Sequence, residues 1–504
     1  MKHKTLLQQV GYVLATAIPI TLLGVQNAAA ITQAEARAFG LDSLATVAVP
    51  EPTNLAAFVK NRNAAIALGK ALFWDQQVGS DGMACASCHF HAGADNRAKN
   101  QLNPNLTRVV DPTGAPIGDT SFGKTNGSDA NPLGATASGA VSGSNYTLVA
   151  EDFPFHQLLD PLNRMSEVTY HTNDVASSSG TFDGGFNTVL TDRRDSPDDV
   201  CGGADASIFH SGGVATRKVE PRNTPTTINA VFNHRNFWDG RANNIFNGLN
   251  PLGNRGNLPT AADPNPGILI TDNATIDLDP ASIVVNTVPV SIDNASLASQ
   301  AVGPPLSDFE MSCAGRVFAD LGKKMVDRIP LANQEVHPTD SVLGTLRARR
   351  GTGLRNRYAT MIRQAFHDVY WNTVGAGLRF TADGEPLPIG TAAAADNYSQ
   401  MDVNFSLFWG LAIQMYEATL VSSQSPFDVW MESAATEVPG FGAAENRGLE
   451  VFVGQANCIA CHIGPEFTSA TLRAEVVPGE PILPNGIAIE RMGMRDILNA
   501  VNPA

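Results

Sequence analysis

Cys85, Cys88 and His89 stand in the run "MACASCHFHAG", and Cys458, Cys461 and His462 repeat the arrangement in "ANCIACHIG" near the other end of the chain. Two thiols three positions apart, followed at once by an imidazole, could clip a metal, exchange a disulfide or anchor a haem. A zinc site needs about four N or S ligands; each cluster offers two thiolates and a His adjacent to the second Cys, so two half-sites would have to combine. A redox dithiol sits between the strand and helix of a βαβ unit, and neither cluster follows a β-rich run. Haem uses the residues as they stand, with thioethers to the two vinyl groups and the next imidazole on the iron. The expectation is two covalent haem c groups, held by Cys85, Cys88 and His89 and by Cys458, Cys461 and His462.

Each motif needs a helix to pack beside it. "NAAIALGKALFWD" places Ile66, Leu68, Leu72 and Phe73 at helical spacing before the first motif, and "NRGLEVFVGQAN" does the same with Leu449, Val451 and Phe452 before the second. In "FSLFWGLAIQMYEATL", Phe408, Leu411, Ala412, Met415 and Thr419 recur at 3.6 spacing and predict an amphipathic helix closing the first domain, with "SSQSPFD" as a linker. Cys201 and Cys313 have no neighbouring His, and a structural disulfide is the expected pairing in an exported protein.

Export is expected from the first thirty residues. Lys2 and Lys4 precede the apolar run "YVLATAIPITLLGV", and Ala28 and Ala30 supply a small-residue cleavage site, as in a signal peptide spanning 1–30. Removing those two lysines moves the formal charge from -15 to -17. Such an acidic surface argues against a nucleic-acid partner and favours a basic protein. No later apolar run is long enough to span a bilayer, which predicts a periplasmic or otherwise exported protein. With 504 residues and 43% hydrophobic content the chain can build more than one core.

Several blocks, in this order, resemble the bacterial di-haem cytochrome c peroxidases and the related MauG-type enzymes: "LGKALFWD", "RNTPTTINAVFNHRNFWDGRA" at 222–242, "SQAVGPPLSDFEM" at 299–311 and "AIQMYEATLVSSQSPFD" at 412–428, with the two haem motifs. The resemblance implies that Trp238 carries electrons between the haems, supported by Asp239 and Arg241. It also implies that Gln300 and Glu310 line the distal side of the first haem. A carboxylate there suits the reaction, because peroxide must lose a proton from its inner oxygen and gain one on its outer oxygen. Phe309 and Met311 beside Glu310 would raise its pKa. Asn223, fifteen positions before Trp238, is implied as a calcium ligand with partners from the C-terminal region.

The chain departs from the family in two places. "NRAKNQLNPNLTR", where family members often carry a distal His, has none, so either the peroxide site is open or a His from an insert, His156, His171, His210 or His234, reaches it. Little sequence follows the second motif, and Met492 and Met494 are the thioethers available there. The inserts around 100–215 and 243–297, with runs such as "ATASGAVSGSNYT" and "DVASSSGTFDGG", read as surface loop without chemistry.

The expected protein is mainly α, with two cytochrome c-like haem domains, 31–420 peroxidatic and 421–504 electron-transferring, joined to long loop-rich inserts. It would reduce hydrogen peroxide with electrons from a small donor such as a cytochrome c or cupredoxin. The alternatives are a MauG-type oxidase acting on a protein substrate and a plain di-haem electron carrier.

Overall fold

A computed structural model describes residues 31–472, apart from 106–108, 111–115, 118–121, 123–142, 183, 191–198, 204–207 and 261–264. The signal peptide expected over 1–30 and the thioethers Met492 and Met494 therefore lie outside the described residues, as does most of "ATASGAVSGSNYT". The contacts divide the chain into two units, one of 31–43 with 424–467, the other of 44–423 with the residues from 468.

In the smaller unit, α1 (Gln33–Ala38) is started by a reciprocal capping box between Thr32 and Glu35. The larger unit is built on α2 (Arg62–Trp74), α3 (Ser296–Ala301), α4 (Phe318–Met325), α5 (Tyr358–Ala365) and α6 (Phe405–Glu417). The smaller unit adds α7 (Pro426–Glu432), with Pro426 in its first turn and Ser425 capping Asp428 N, and α8 (Ala443–Val453). Trp430, Met431, Val438, Val453 and Ile459 form that unit's core with Ile31 and Leu41. The Phe427 ring meets Phe467 edge-on at 5.0 Å.

The mainly α expectation is only partly met. Helices coexist with six two-stranded antiparallel ribbons among the described residues, several of them in the stretches between the recognised blocks. One pairs Gly185–Val189 with Asp199–Gly202; another pairs Ile268–Thr271 with Val285–Val288 and buries Ile268 and Leu269.

α6 is not amphipathic. Every residue from Phe405 to Glu417 is buried, and Thr419 lies beyond the helix end, exposed. A helix enclosed on all sides carries apolar residues all round, so its 3.6 pattern selects no single face. Its few polar side chains tie it to neighbours: Ser406 Oγ donates to the Gly248 carbonyl at 2.6 Å, and Gln414 accepts from Ala298 N at 2.9 Å and donates to the Asn294 carbonyl at 2.8 Å. These bonds fix α3 against α6. α2 crosses α6 so closely that a Cβ at Gly69 would overlap the Ala412 carbonyl. Gly69→Ala should therefore destabilise the fold by about 1–3 kcal/mol through overpacking, read as a lower thermal midpoint.

Asp402, just before α6, is buried with one carboxylate oxygen unpartnered. Burial, only partly offset by bonds from Ser399 and by Lys323 and Arg379, pushes its pKa up to about 6. A folded pKa above the unfolded value of about 3.9 gives stability that is complete below about pH 4 and is lost as pH rises through 6. Asp402→Asn should remove this slope, so that relative to wild type the variant gains up to about 3 kcal/mol between pH 4 and 7. Thermal melts of both proteins across that range check it.

Candidate functional site

Both C-x-x-C-H motifs begin with a single 3₁₀ turn, Cys85–Ser87 and Cys458–Ala460. The backbone then folds back alike: His89 N donates to the Cys85 carbonyl at 3.0 Å and His462 N to the Cys458 carbonyl at 2.9 Å. All four motif thiols are free. Each imidazole uses Nδ1 on a backbone carbonyl, Pro225 for His89 at 2.9 Å and Phe467 for His462 at 3.0 Å. A neutral ring that donates from Nδ1 keeps its Nε2 lone pair for a metal. An aromatic ring stands 6.0 Å from each imidazole, Phe73 from α2 and Phe452 from α8. Ile66, Leu68, Leu72 and Phe73 are buried as expected, whereas Val451 on α8 is exposed.

The "RNTPT" block cradles the first motif. Pro225 offers its carbonyl to His89, Thr227 donates through both N and Oγ1 to the Ala92 carbonyl at 2.9 Å, and Asp95 N donates to the Thr224 carbonyl. Arg97, paired with Asp95 at 2.7 Å, also points Nη2 at Cys88 Sγ at 3.3 Å. Burial holds the His89 imidazole down to about 4, so it is neutral around pH 7.

Cys85, Cys88 and His89 line a cavity of about 370 Å³, within the range of cofactor sites. Gln300, Glu310, Trp238 and Asn223 line the same cavity, so all the residues assigned to the first haem meet there. Its wall is largely apolar and includes Phe73, Pro304, Met311 and Ile413. None of His156, His171, His210 and His234 lines it. Cys458, Cys461 and His462 belong to the smaller unit.

Glu310 sits in a turn in which the Ser307 carbonyl accepts from the backbone N of Glu310, Met311 and Ser312. Beyond it, Cys313 is bonded to Cys201, the expected disulfide, across a sequence separation of 112. A buried triad continues the anchor, with Asp199 accepting from Arg316 at 2.5 Å and from Lys324 at 3.1 Å. Burial alone would raise Asp199, but Lys324 and Arg316 outweigh it and hold the carboxyl below its ordinary range. The ribbon of 185–189 and 199–202 thus pins the segment that carries Glu310.

The inserts are not without consequence. In "DVASSSGTFDGG", Ser177, Ser178, Ser179 and Thr181 are buried. Gly180 N donates to the Lys218 carbonyl and Glu220 N to the Ser178 carbonyl, both at 2.9 Å, so the run pairs with the chain that enters "RNTPT". Small polar residues are accommodated there because their backbone groups are bonded on both sides. Gly180 is required: a Cβ would overlap the carbonyls of Phe309 and Glu310. Ser178 and Gly180 reach the cavity wall.

Burial raises the Glu310 pKa well above the ordinary value, and the carboxylate of Glu220, hydrogen-bonded to it, raises it further; Ser307 and Arg222 oppose this. Sequence reasoning missed Glu220, and it also missed Glu417, the last residue of α6, which burial pushes up to about 8. Nothing in the sequence marked either one, since each stands alone among residues of another type. Trp238 is 63% exposed at the cavity rim, which excludes a core role. Arg222 stacks 5.4 Å from its ring and pairs with Asp239 at 3.1 Å, while Arg241 also pairs with Asp239 at 3.3 Å and stands over Phe237.

Residues 200–436 match the family model described as di-haem cytochrome c peroxidase. That segment belongs to the di-haem cytochrome c peroxidase family. It contains Trp238, Gln300, Glu310 and Asn223, and the two haem motifs flank it. The chain is also 40% identical over 57 residues to the methylamine utilization protein MauG of Methylorubrum extorquens, a stretch covering 11% of this chain and 15% of that relative. No solved structure matches. The family consists of redox enzymes with haem c, and the first site fits such a group: two free thiols, an imidazole oriented by Pro225 and an apolar wall all face one cavity. The Asn223 side-chain oxygen meets Ser178 Oγ at 3.5 Å. No described helix is long and apolar enough to cross a membrane.

Proposed function

We propose that the protein reduces hydrogen peroxide to water at the cavity beside His89, using electrons that enter at the haem held by His462 and pass by way of Trp238. The observation that carries this reading is the convergence of His89, Gln300 and Glu310 on one cavity that no other described His enters. A haem bound through Cys85, Cys88 and His89 would supply the redox chemistry. The chain supplies the rest: Glu310 takes the proton from the inner peroxide oxygen and returns it to the outer one, which leaves as water, and Gln300 orients the peroxide. Two electrons and two further protons complete the second water. The donor is a small redox protein, of the cytochrome c or cupredoxin kind, and a basic docking face would suit the acidic chain. We place the protein in the periplasm or otherwise outside the cytoplasm, after cleavage of residues 1–30.

Calcium at Asn223 is left out of this scheme. A MauG-type oxidase acting on a protein substrate is the second reading, favoured by the 57-residue match to MauG. Mixing the ferric protein with peroxide and recording the haem spectrum tests the first step: a rapid change is expected, and an unaltered spectrum would leave only electron transfer. Adding reduced cytochrome c then separates the two enzymes, since catalytic oxidation of the donor marks the peroxidase and its persistence the oxidase.

A further inference from the structure

His156 and His171 are directly paired across the antiparallel ribbon of His156–Leu158 and Val168–His171, and neither lines the cavity beside His89. Thr172 N donates to the Phe155 carbonyl at 3.0 Å just outside the pair, which makes it the non-hydrogen-bonded kind, in which facing side chains approach most closely. The two Nδ1 atoms stand 3.1 Å apart, with ring centroids 5.2 Å apart and the ring planes at 83° to each other. His156 is exposed and His171 half-buried, so the pair is open to solvent. The ribbon around them is fastened independently. The Phe153 and Phe155 rings stack at 5.0 Å, Gln157 Nε2 donates to the Glu151 carbonyl at 3.0 Å, and Leu159 N donates to the Glu167 carbonyl at 2.8 Å.

We propose that His156 and His171 form a two-imidazole site for a late first-row divalent ion of the copper or zinc class. Imidazole nitrogen binds such ions at about 2.0–2.1 Å. An ion at that distance from both Nδ1 atoms, 3.1 Å apart, subtends an N–metal–N angle of about 95–102°, between the right angle of square-planar ligands and the tetrahedral angle. The separation therefore suits chelation of one ion without moving the strands. Without metal, one ring donates Nδ1–H to the other Nδ1; with metal, that ring carries its proton on Nε2 and both Nδ1 lone pairs face the ion.

No group of three or more His, Cys, Asp or Glu suited to a metal occurs among the described residues, so the ribbon supplies two ligands and water completes the shell. Nitrogen donors favour Cu²⁺ over Zn²⁺, and both over Ca²⁺ or Mg²⁺, which take oxygen. One ligand comes from each strand, so the ion binds the paired ribbon and stabilises it by linkage. The site is independent of the peroxidatic reading.

The test is calorimetric titration with Zn²⁺ of the haem-loaded full chain, freed of loose metal with EDTA and gel filtration. Wild type, His156→Gln, His171→Gln and the double variant are compared, the double variant giving the background from the other histidines. Wild type should bind one Zn²⁺ per chain above that background, and each single variant should lose at least about tenfold in affinity. Cu²⁺ should compete for the same site, and its EPR spectrum should show coupling to two nitrogens in wild type and fewer in either single variant. A wild type no different from the double variant would overturn the site. So would loss in one single variant with full binding in the other, which would place the ion on one histidine and some other partner. Should a variant fail to accumulate, the wild-type Cu²⁺ spectrum decides: two-nitrogen coupling supports the site, and oxygen-only coordination contradicts it.

Discussion

Glu310→Gln is expected to lower peroxide turnover by about 10²- to 10⁴-fold while both haems remain attached, the range ascribed to a positioned general acid-base. The substitution keeps the side-chain volume. The surrounding turn, held by the Ser307 carbonyl and the Cys201–Cys313 disulfide, does not depend on the carboxyl. What is lost is the proton acceptor. Peroxide kinetics with parallel haem counting check this, and unchanged turnover would remove Glu310 from the mechanism.

Replacing Cys85 and Cys88 together by Ser should abolish peroxide turnover and lower the intact mass by one haem, with the second haem retained. The second motif has its own core, in which Phe452, Phe467, Ile459 and Trp430 pack without any residue of the first motif's cavity. The corresponding Cys458→Ser and Cys461→Ser variant should keep the peroxide-induced spectral change yet lose donor-dependent turnover. A first-motif variant that still turned over peroxide would show that the chemistry sits elsewhere. Loss of a covalent haem also removes its binding energy from the folded state, so both double variants should melt at lower temperature.

The parts of the site legible in the sequence were those whose chemistry fixes their spacing. C-x-x-C-H reads directly, since two vinyl groups and one iron dictate three residues. Glu310 and Trp238 were legible only through the blocks around them, because a lone carboxylate or indole says nothing about its surroundings. Glu220 could not be read: its meaning comes from the facing carboxyl of Glu310, ninety positions away, and pairing across such a distance leaves no local pattern.

The fold shows the same division. α2 was legible from Leu68, Leu72 and Phe73, all of them buried. α6 was recognised as a helix but misread as amphipathic, because a helix buried on all sides has no polar stripe to orient it. "DVASSSGTFDGG" has the composition of a surface loop, and its residues 177–181 are nonetheless buried, since backbone bonds, not side chains, secure them. Composition reports what a segment can expose, while burial depends on what other segments lay against it.

Counting covalent haem on the purified protein tests the central claim most directly. An intact-mass measurement with a pyridine haemochrome assay should find two haem groups per chain, surviving denaturation. A colourless product with the mass of the bare polypeptide would contradict the account from its first step.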